Sequence, residues 1–386
     1  MKRRTAVTML AALALAALSG ASVRAQTYTF TDLGVLNAAS PYASALGINN
    51  AGQIVGQSRV NANTTRVFRI TPTTDGSGHQ SWYVDANSDG VNDLAQILPL
   101  PTGFAYSYAY SGDINGSGQA TCVALAAYAT APQDAVVWSA SAVPALLTNT
   151  NVTSSGFGLN DGGDVVGNYW DYKKHKPTMP YLWQFTNGSY TAVQLAGTSG
   201  WASSVNNLRQ VTGTLDAGGA FLWLPSPTYG LPAGMNLLSG ISIGGGKSIN
   251  NTGIIAGTGA SPNNPNHILL RVPPGGGAAY GLNDGLNDID DGVWVSSYIN
   301  GLNNPLAGQP LQAVGGAFDA PNNTDTHRYA VVWDSGSRSL RNLNSFTTNL
   351  PSGYVLRSAN GINDLGQIVG YATFNGVQRA FVLTPQ

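Results

Sequence analysis

The chain has 386 residues, with 18 Lys and Arg against 19 Asp and Glu, and only 10% of its residues are charged. A near-neutral chain with scattered basic residues lacks the electrostatic footprint for nucleic acid or an anionic lipid surface. The single cysteine, Cys122, excludes an internal disulfide, so stability must come from ordinary burial, which a chain this long can supply.

At the start, Lys2, Arg3 and Arg4 form a basic head followed by the short apolar run AVTMLAALALAAL. Val23-Arg24-Ala25 then places small residues at the two positions a signal peptidase reads, which predicts a signal peptide over 1–25 cleaved after Ala25. The run is too short to span a bilayer, and the expectation is an exported, non-inserted protein, extracellular or periplasmic. The remaining chain carries 14 basic and 19 acidic residues, a charge of −5. Every acidic residue is Asp, and after residue 25 the lysines are Lys173, Lys174, Lys176 and Lys247. Few helix-favouring charged residues and abundant Gly, Asn, Thr and Ser favour short strands joined by tight turns.

The stretch after the leader is repetitive. GINNAGQIVG at 47 returns as GDINGSGQATC at 112, GLNDGGDVVG at 158, SVNNLRQVTG at 204, SINNTGIIAG at 248, GLNNPLAGQP at 301 and GINDLGQIVG at 361. The aligned asparagines are Asn49, Asn115, Asn160, Asn206, Asn250, Asn303 and Asn363. Their separations run from 44 to 66 residues, and the shortest suit a four-stranded propeller blade of roughly 40–45 residues. In each unit, strand A runs into the Asn, a turn follows, strand B carries IVG, and strands C and D come after. The C strands are RVFRI, DAVVW, YLWQF, AFLWL, HILLRV, YAVVW and AFVL. The turn reads as a hairpin loop in which Asn tolerates left-handed angles and Gly52 or Gly366 takes φ > 0. The last unit lacks a D strand, while QTYTFTDLGVL at 26–36 is an unpaired strand before the first A. Pairing the two removes two exposed edges. The expectation is one all-β domain over 26–386, a seven-bladed β-propeller whose N-terminal strand closes the last blade.

The xINNxGQIVG motif with its downstream AFLW-type and DLG strands resembles the HAF-type bacterial extracellular repeat proteins over residues 27–386. The resemblance implies secretion and a repeat fold, and carries no established enzymatic role. The C-terminal sorting helix and basic tail of some relatives are not seen in the sequence, so anchoring by that route is not expected.

Several stretches are candidates for chemistry. DANSDGVND at 85–93 sets Asp85, Asn87 and Asp89 at alternate positions before Gly90. With the Val91 carbonyl and Asp93, these oxygens have the spacing of a calcium loop, although Gln96 stands where an EF-hand has its bidentate Glu. The other reading is an Asp/Asn/Gly-rich surface turn. The acidic run 283–292 lacks that spacing and reads as a solvated loop. Trp138, Trp183, Trp223 and Trp333 share one register in strand C and read as inter-blade core. Trp82, Trp170, Trp201 and Trp294 fall outside it. In WDYKKHK at 170–176, Trp170, Tyr172, Lys174 and His175 have the chemistry to contact a glycan or an anionic ligand.

No catalytic constellation emerges: the four histidines are dispersed, and there is no GxSxG elbow. The sequence therefore reads as a secreted binding or structural module acting as a monomer, with a glycan or a cell-surface or matrix protein as partner. The alternative is a carbohydrate-active enzyme, a hydrolase or lyase, using Asp carboxylates in the central channel.

Overall fold

The computed structural model describes residues 26–125, 133–147, 153–170, 178–217, 219–238, 246–261, 264–271, 273, 293–321 and 324–386. The expected leader at 1–25, the acidic run at 283–292, and Tyr172, Lys174 and His175 lie outside the described residues.

Each repeat folds as an up-and-down antiparallel sheet, and the sheets stand around a central channel as a β-propeller. The inner strands are Ala43–Ile48, Tyr106–Ile114, Thr153–Leu159, Gly200–Val205, Gly246–Ile249, Ser296–Leu302 and Tyr354–Ile362, each running into its repeated asparagine. Six sheets are four-stranded blades. The sheet of the fifth unit has three strands, Gly246–Ile249, Ile255–Ser261 and Asn264–Arg271. This corrects the expectation of a seven-bladed β-propeller: the four-stranded blades among the described residues number six. The physical reason is local. After Arg271 the sequence reads VPPGGG, in which two prolines donate no amide and three glycines pack no side chain, a poor strand-forming run; residues 274–292 lie outside the described residues.

The N-terminal strand Tyr28–Asp32 pairs antiparallel with Val377–Pro385, with Phe30 opposite Leu383 and Tyr28 opposite Pro385. It supplies the fourth strand of the last blade. Asn349 fixes this junction from the side, accepting from the Phe30 amide and donating to the Phe30 carbonyl. Asp32 accepts from the Tyr354 hydroxyl and from Arg379.

Alternation along each strand sends neighbouring side chains to opposite faces, so every sheet contributes to two apolar cores. Val136 and Trp138 pack toward the first unit with Val55, Val67 and Cys122, while Ala135 and Val137 pack toward the third with Val165 and Trp183. Trp138, Trp183 and Trp333 are fully buried, as their register predicts, and Trp223 is partly buried.

Candidate functional site: the central channel

The turns at one end of the channel account for the repeated motif. Asn206 accepts at its side-chain oxygen from the amides of Leu208 (3.0 Å) and Gln210 (2.9 Å), which shapes the turn. Its side-chain nitrogen donates to Gln210 Oε1 (2.8 Å) and to the Asn250 carbonyl of the next unit (2.9 Å). The same inter-unit bond links Asn49 to Asn115, Asn115 to Asn160, Asn160 to Asn206, and Asn250 to Asn303, and Asn363 closes the circle on Asn49. In the sixth unit the longer NNPLAGQP turn redirects Asn303, whose nitrogen donates to the Pro310 carbonyl instead.

A second circle runs beside the first. The amide of Asp161 donates to Asn207 Oδ1, that of Asn207 to Asn251, that of Asn251 to Asn304, that of Asn304 to Asp364, and that of Asp364 to Asn50. Gly116 donates to Asp161 but has no side chain to accept from Asn50, so this circle is open at the second unit.

The expected φ > 0 at Gly52 and Gly366 is observed, while the tolerance of asparagine for left-handed angles is not used by the repeated residue. None of the seven asparagines has positive φ; in six units the left-handed residue is the one three places on, Gly52 (φ 77°) and Gly366 (φ 77°) among them, and in the sixth it is Gly308 (φ 81°). The leading glycine has a separate role. A Cβ on Gly361 would stand 3.0 Å from the Leu46 carbonyl oxygen of the neighbouring inner strand, so the motif's first Gly is a point of close approach between sheets.

Three residues before the asparagine, the inner strand carries a β-bulge, seen between Ala45 and Gly47, Gly156 and Gly158, Ala202 and Ser204, Gly246 and Ser248, Ile299 and Gly301, and Ala359 and Gly361. A bulge leaves its extra residue unpaired and re-aims it. The bulged residues Leu46, Phe157, Ser203, Lys247, Asn300 and Asn360 all line the channel, as does Gly112 at the equivalent place. Below them sits an apolar collar, Ile48, Ile114, Leu159, Val205, Ile249, Leu302 and Ile362. Toward the end where the inner strands begin, the wall carries Tyr42, Tyr108, Trp201, Tyr298 and Arg328. The cavity measures about 1150 Å³.

The ionisable groups of this wall differ in how they are held. Asp161 accepts from Gly116 N and Asn207 Nδ2, and Asp364 accepts from Asn304 and Asn50. Asp113 accepts the amides of Ile114 and of Leu159 in the next unit. Burial, with a smaller contribution from nearby Asp161, pushes its carboxyl up to about 6. At the rim, Arg328 pairs with Asp325 (3.0 Å), donates to the Tyr371 hydroxyl and lies 5.1 Å over the Phe318 ring. Lys247 differs from these. Burial lowers its ammonium below the ordinary lysine value, and among the described residues it has no ion-pair partner.

Of the candidate site residues named from sequence, those that are described do not line this channel. Asp85, Asn87, Asp89, Val91 and Asp93 come together in one exposed loop of the first unit. Asp85 accepts from the amides of Asp89 and Gly90, Asp89 from that of Val91, and Asp93 from that of Ala86. Buried Asn92 ties the loop inward by donating to the Leu33 and Trp82 carbonyls (both 2.8 Å). Trp170 is half-exposed at a strand end. Of the tryptophans outside the strand C register, Trp82 and Trp294 belong to apolar cores, and Trp201 alone lines the channel. The bulge positions were missed from sequence. The signal was the residue three before each asparagine, which varies from Leu to Lys while the asparagine recurs.

No family model and no curated protein matches the chain. Among solved structures, the chain is similar to the WD40 repeats of RRP9 at 10% identity and a TM-score of 0.46, covering 96% of each chain. It is similar to a TolB homologue from Agrobacterium tumefaciens at 10% identity and 0.43, covering 93% of this chain and 98% of that one. It is also similar to YCF48 from Cyanidioschyzon merolae at 10% and 0.45, covering 92% and 99%. At such identities and scores, none of these likenesses bears on activity or ligand. No helix among the described residues is long and apolar enough to cross a membrane.

Proposed function

We propose that this protein is an exported β-propeller of the HAF-type repeat class that binds a ligand in its central channel. The observation that carries the reading is the contrast between two layers of one strand. The asparagine layer repeats and is consumed in bonds between units. Three residues away, the bulge layer differs in nearly every unit and faces a cavity of about 1150 Å³. Function grafted onto a repeated scaffold is found where the copies differ. Amide, hydroxyl and aromatic side chains make up much of that wall, which suits a glycan: amides hydrogen-bond sugar hydroxyls, and Trp201 offers a stacking face.

The competing reading, a hydrolase or lyase, would place its acid at Asp113. Both Asp113 oxygens already accept amides, and Asp161 is bonded to Gly116 and Asn207, so these carboxylates are read as bridges between units. The test is a glycan array with the chain from Gln26, followed by affinity and turnover measurements on each hit. The expected result is binding weakened at least tenfold in Trp201→Ala, with no product formed. Product formation abolished by Asp113→Asn establishes the enzyme instead, and no hit on the array removes the glycan reading. Export is proposed on the leader sequence and is checked by N-terminal sequencing of exported protein, expected to begin at Gln26.

A further inference from the structure

We propose that the channel ligand is an acidic glycan, a uronate-type oligosaccharide whose carboxylate is held by Lys247; this rests on the channel being a glycan site. Lys247 is the sole lysine among the described residues, and the bulge of the fifth unit's inner strand places it in the channel wall. It is also the sole cation in the bulge layer, where its neighbours around the ring are Ser203 and Asn300.

None of the described carboxylates lining the same cavity pairs with Lys247: Asp161 and Asp364 accept bonds from the turns, and Asp113 accepts two amides. The other channel cation, Arg328, is matched by Asp325. Lys247 is therefore a largely buried positive charge lining a cavity, with no ion-pair partner among the described residues. A desolvated ammonium gains most from an anion that enters the cavity with it, because attraction grows as water is excluded. Trp201, on the inner strand of the preceding unit, lines the same wall and offers an apolar face for a sugar ring. Asn300 and Ser203 add donors and acceptors for hydroxyl groups. A carboxylate combined with a hydroxyl-rich ring is the chemistry of a uronate.

The decisive experiment is calorimetric titration of the chain from Gln26 with a β-1,4-mannuronate trimer and with its carboxyl-reduced counterpart, β-1,4-mannotriose. A galacturonate trimer run in parallel covers the other common uronate. Wild type is expected to bind at least one acidic trimer at least tenfold more tightly than a neutral one, with affinity falling as salt rises. Lys247→Met is expected to lose at least tenfold on the acidic trimer while leaving the neutral one within twofold, and Lys247→Arg is expected to restore most of the loss. Unchanged melting temperatures for both variants exclude misfolding as the cause. Equal binding of acidic and neutral trimers, or an unaltered acidic affinity in Lys247→Met, overturns the carboxylate assignment. If neutral sugars bind and Trp201→Ala abolishes their binding, the glycan channel stands while the Lys247 inference falls. If neither acidic nor neutral sugars bind, both fall.

Discussion

At the scale of the residue, Asp113 shows how a channel-facing group becomes a structural bridge with a titratable consequence. Its carboxyl spans two units by accepting the Leu159 amide, and burial lifts it to about 6 from an ordinary value of 3.8. Between those values the folded protein holds a proton that the unfolded chain has released, so this group's contribution to stability falls as pH rises from about 4 to 6. A shift of this size corresponds to on the order of 2 kcal/mol. Denaturant unfolding of wild type and Asp113→Asn should thus show their difference moving toward the variant by about that amount between pH 4 and pH 7. A difference that stays constant across the range contradicts the burial assigned to Asp113. Residue types alone do not reveal this burial of Asp113, because desolvation depends on which neighbouring strand closes over it. The repeated asparagine was legible as a turn residue, but its bond to the next unit was likewise not. A residue that tolerates φ > 0 and one whose amide bridges two chain segments look alike in a single strand of text.

At the scale of the element, the strands were legible because apolar alternation and the turn residues agree in every unit. The D segment YTAVQ at 190–194 and the C strand AFLWL at 220–224 fall within observed strands Ser189–Gln194 and Gly219–Leu224. The described sheet of the fifth unit ends at Arg271, and the VPPGGG that follows is a run of weak strand formers already visible in the residues. The N-terminal strand is the element whose placement carries most weight. Tyr28 is fully buried and Phe30 is 6% exposed, both packed against Leu356 and Phe381 of the last blade. Burying two aromatic side chains contributes roughly 2–3 kcal/mol each, and the ladder with Val377–Pro385 adds to it. Removing residues 26–32 should lower the melting temperature by more than 10 °C, and an unaltered melting temperature is incompatible with a closing strand.

At the scale of the molecule, the closed ring is a set of sheets joined by side-chain bonds at the channel end and by apolar cores further out. The two circles of bonds are each open at a unit whose turn sequence diverges, the second circle at Gly116 and the first at Asn303. The arrangement separates scaffold from site along a single strand, three residues apart, which is why a search for reactive motifs in the sequence passed over the channel wall. Neither the bulge nor the direction it gives a side chain is written in residue types alone. Across the whole protein, the motif should therefore govern stability while the bulge layer governs binding.

The most direct measurement is guanidinium unfolding of Asn206→Ala alongside Trp201→Ala. Truncating Asn206 leaves Gln210 Oε1, the Asn250 carbonyl and two turn amides without their buried partner, a loss of about 2–4 kcal/mol. The expected result is a clear drop in the unfolding midpoint for Asn206→Ala and a shift several-fold smaller for Trp201→Ala. A wild-type midpoint in Asn206→Ala would contradict the scaffold role of the repeated asparagine and return the motif to consideration as a duplicated ligand site.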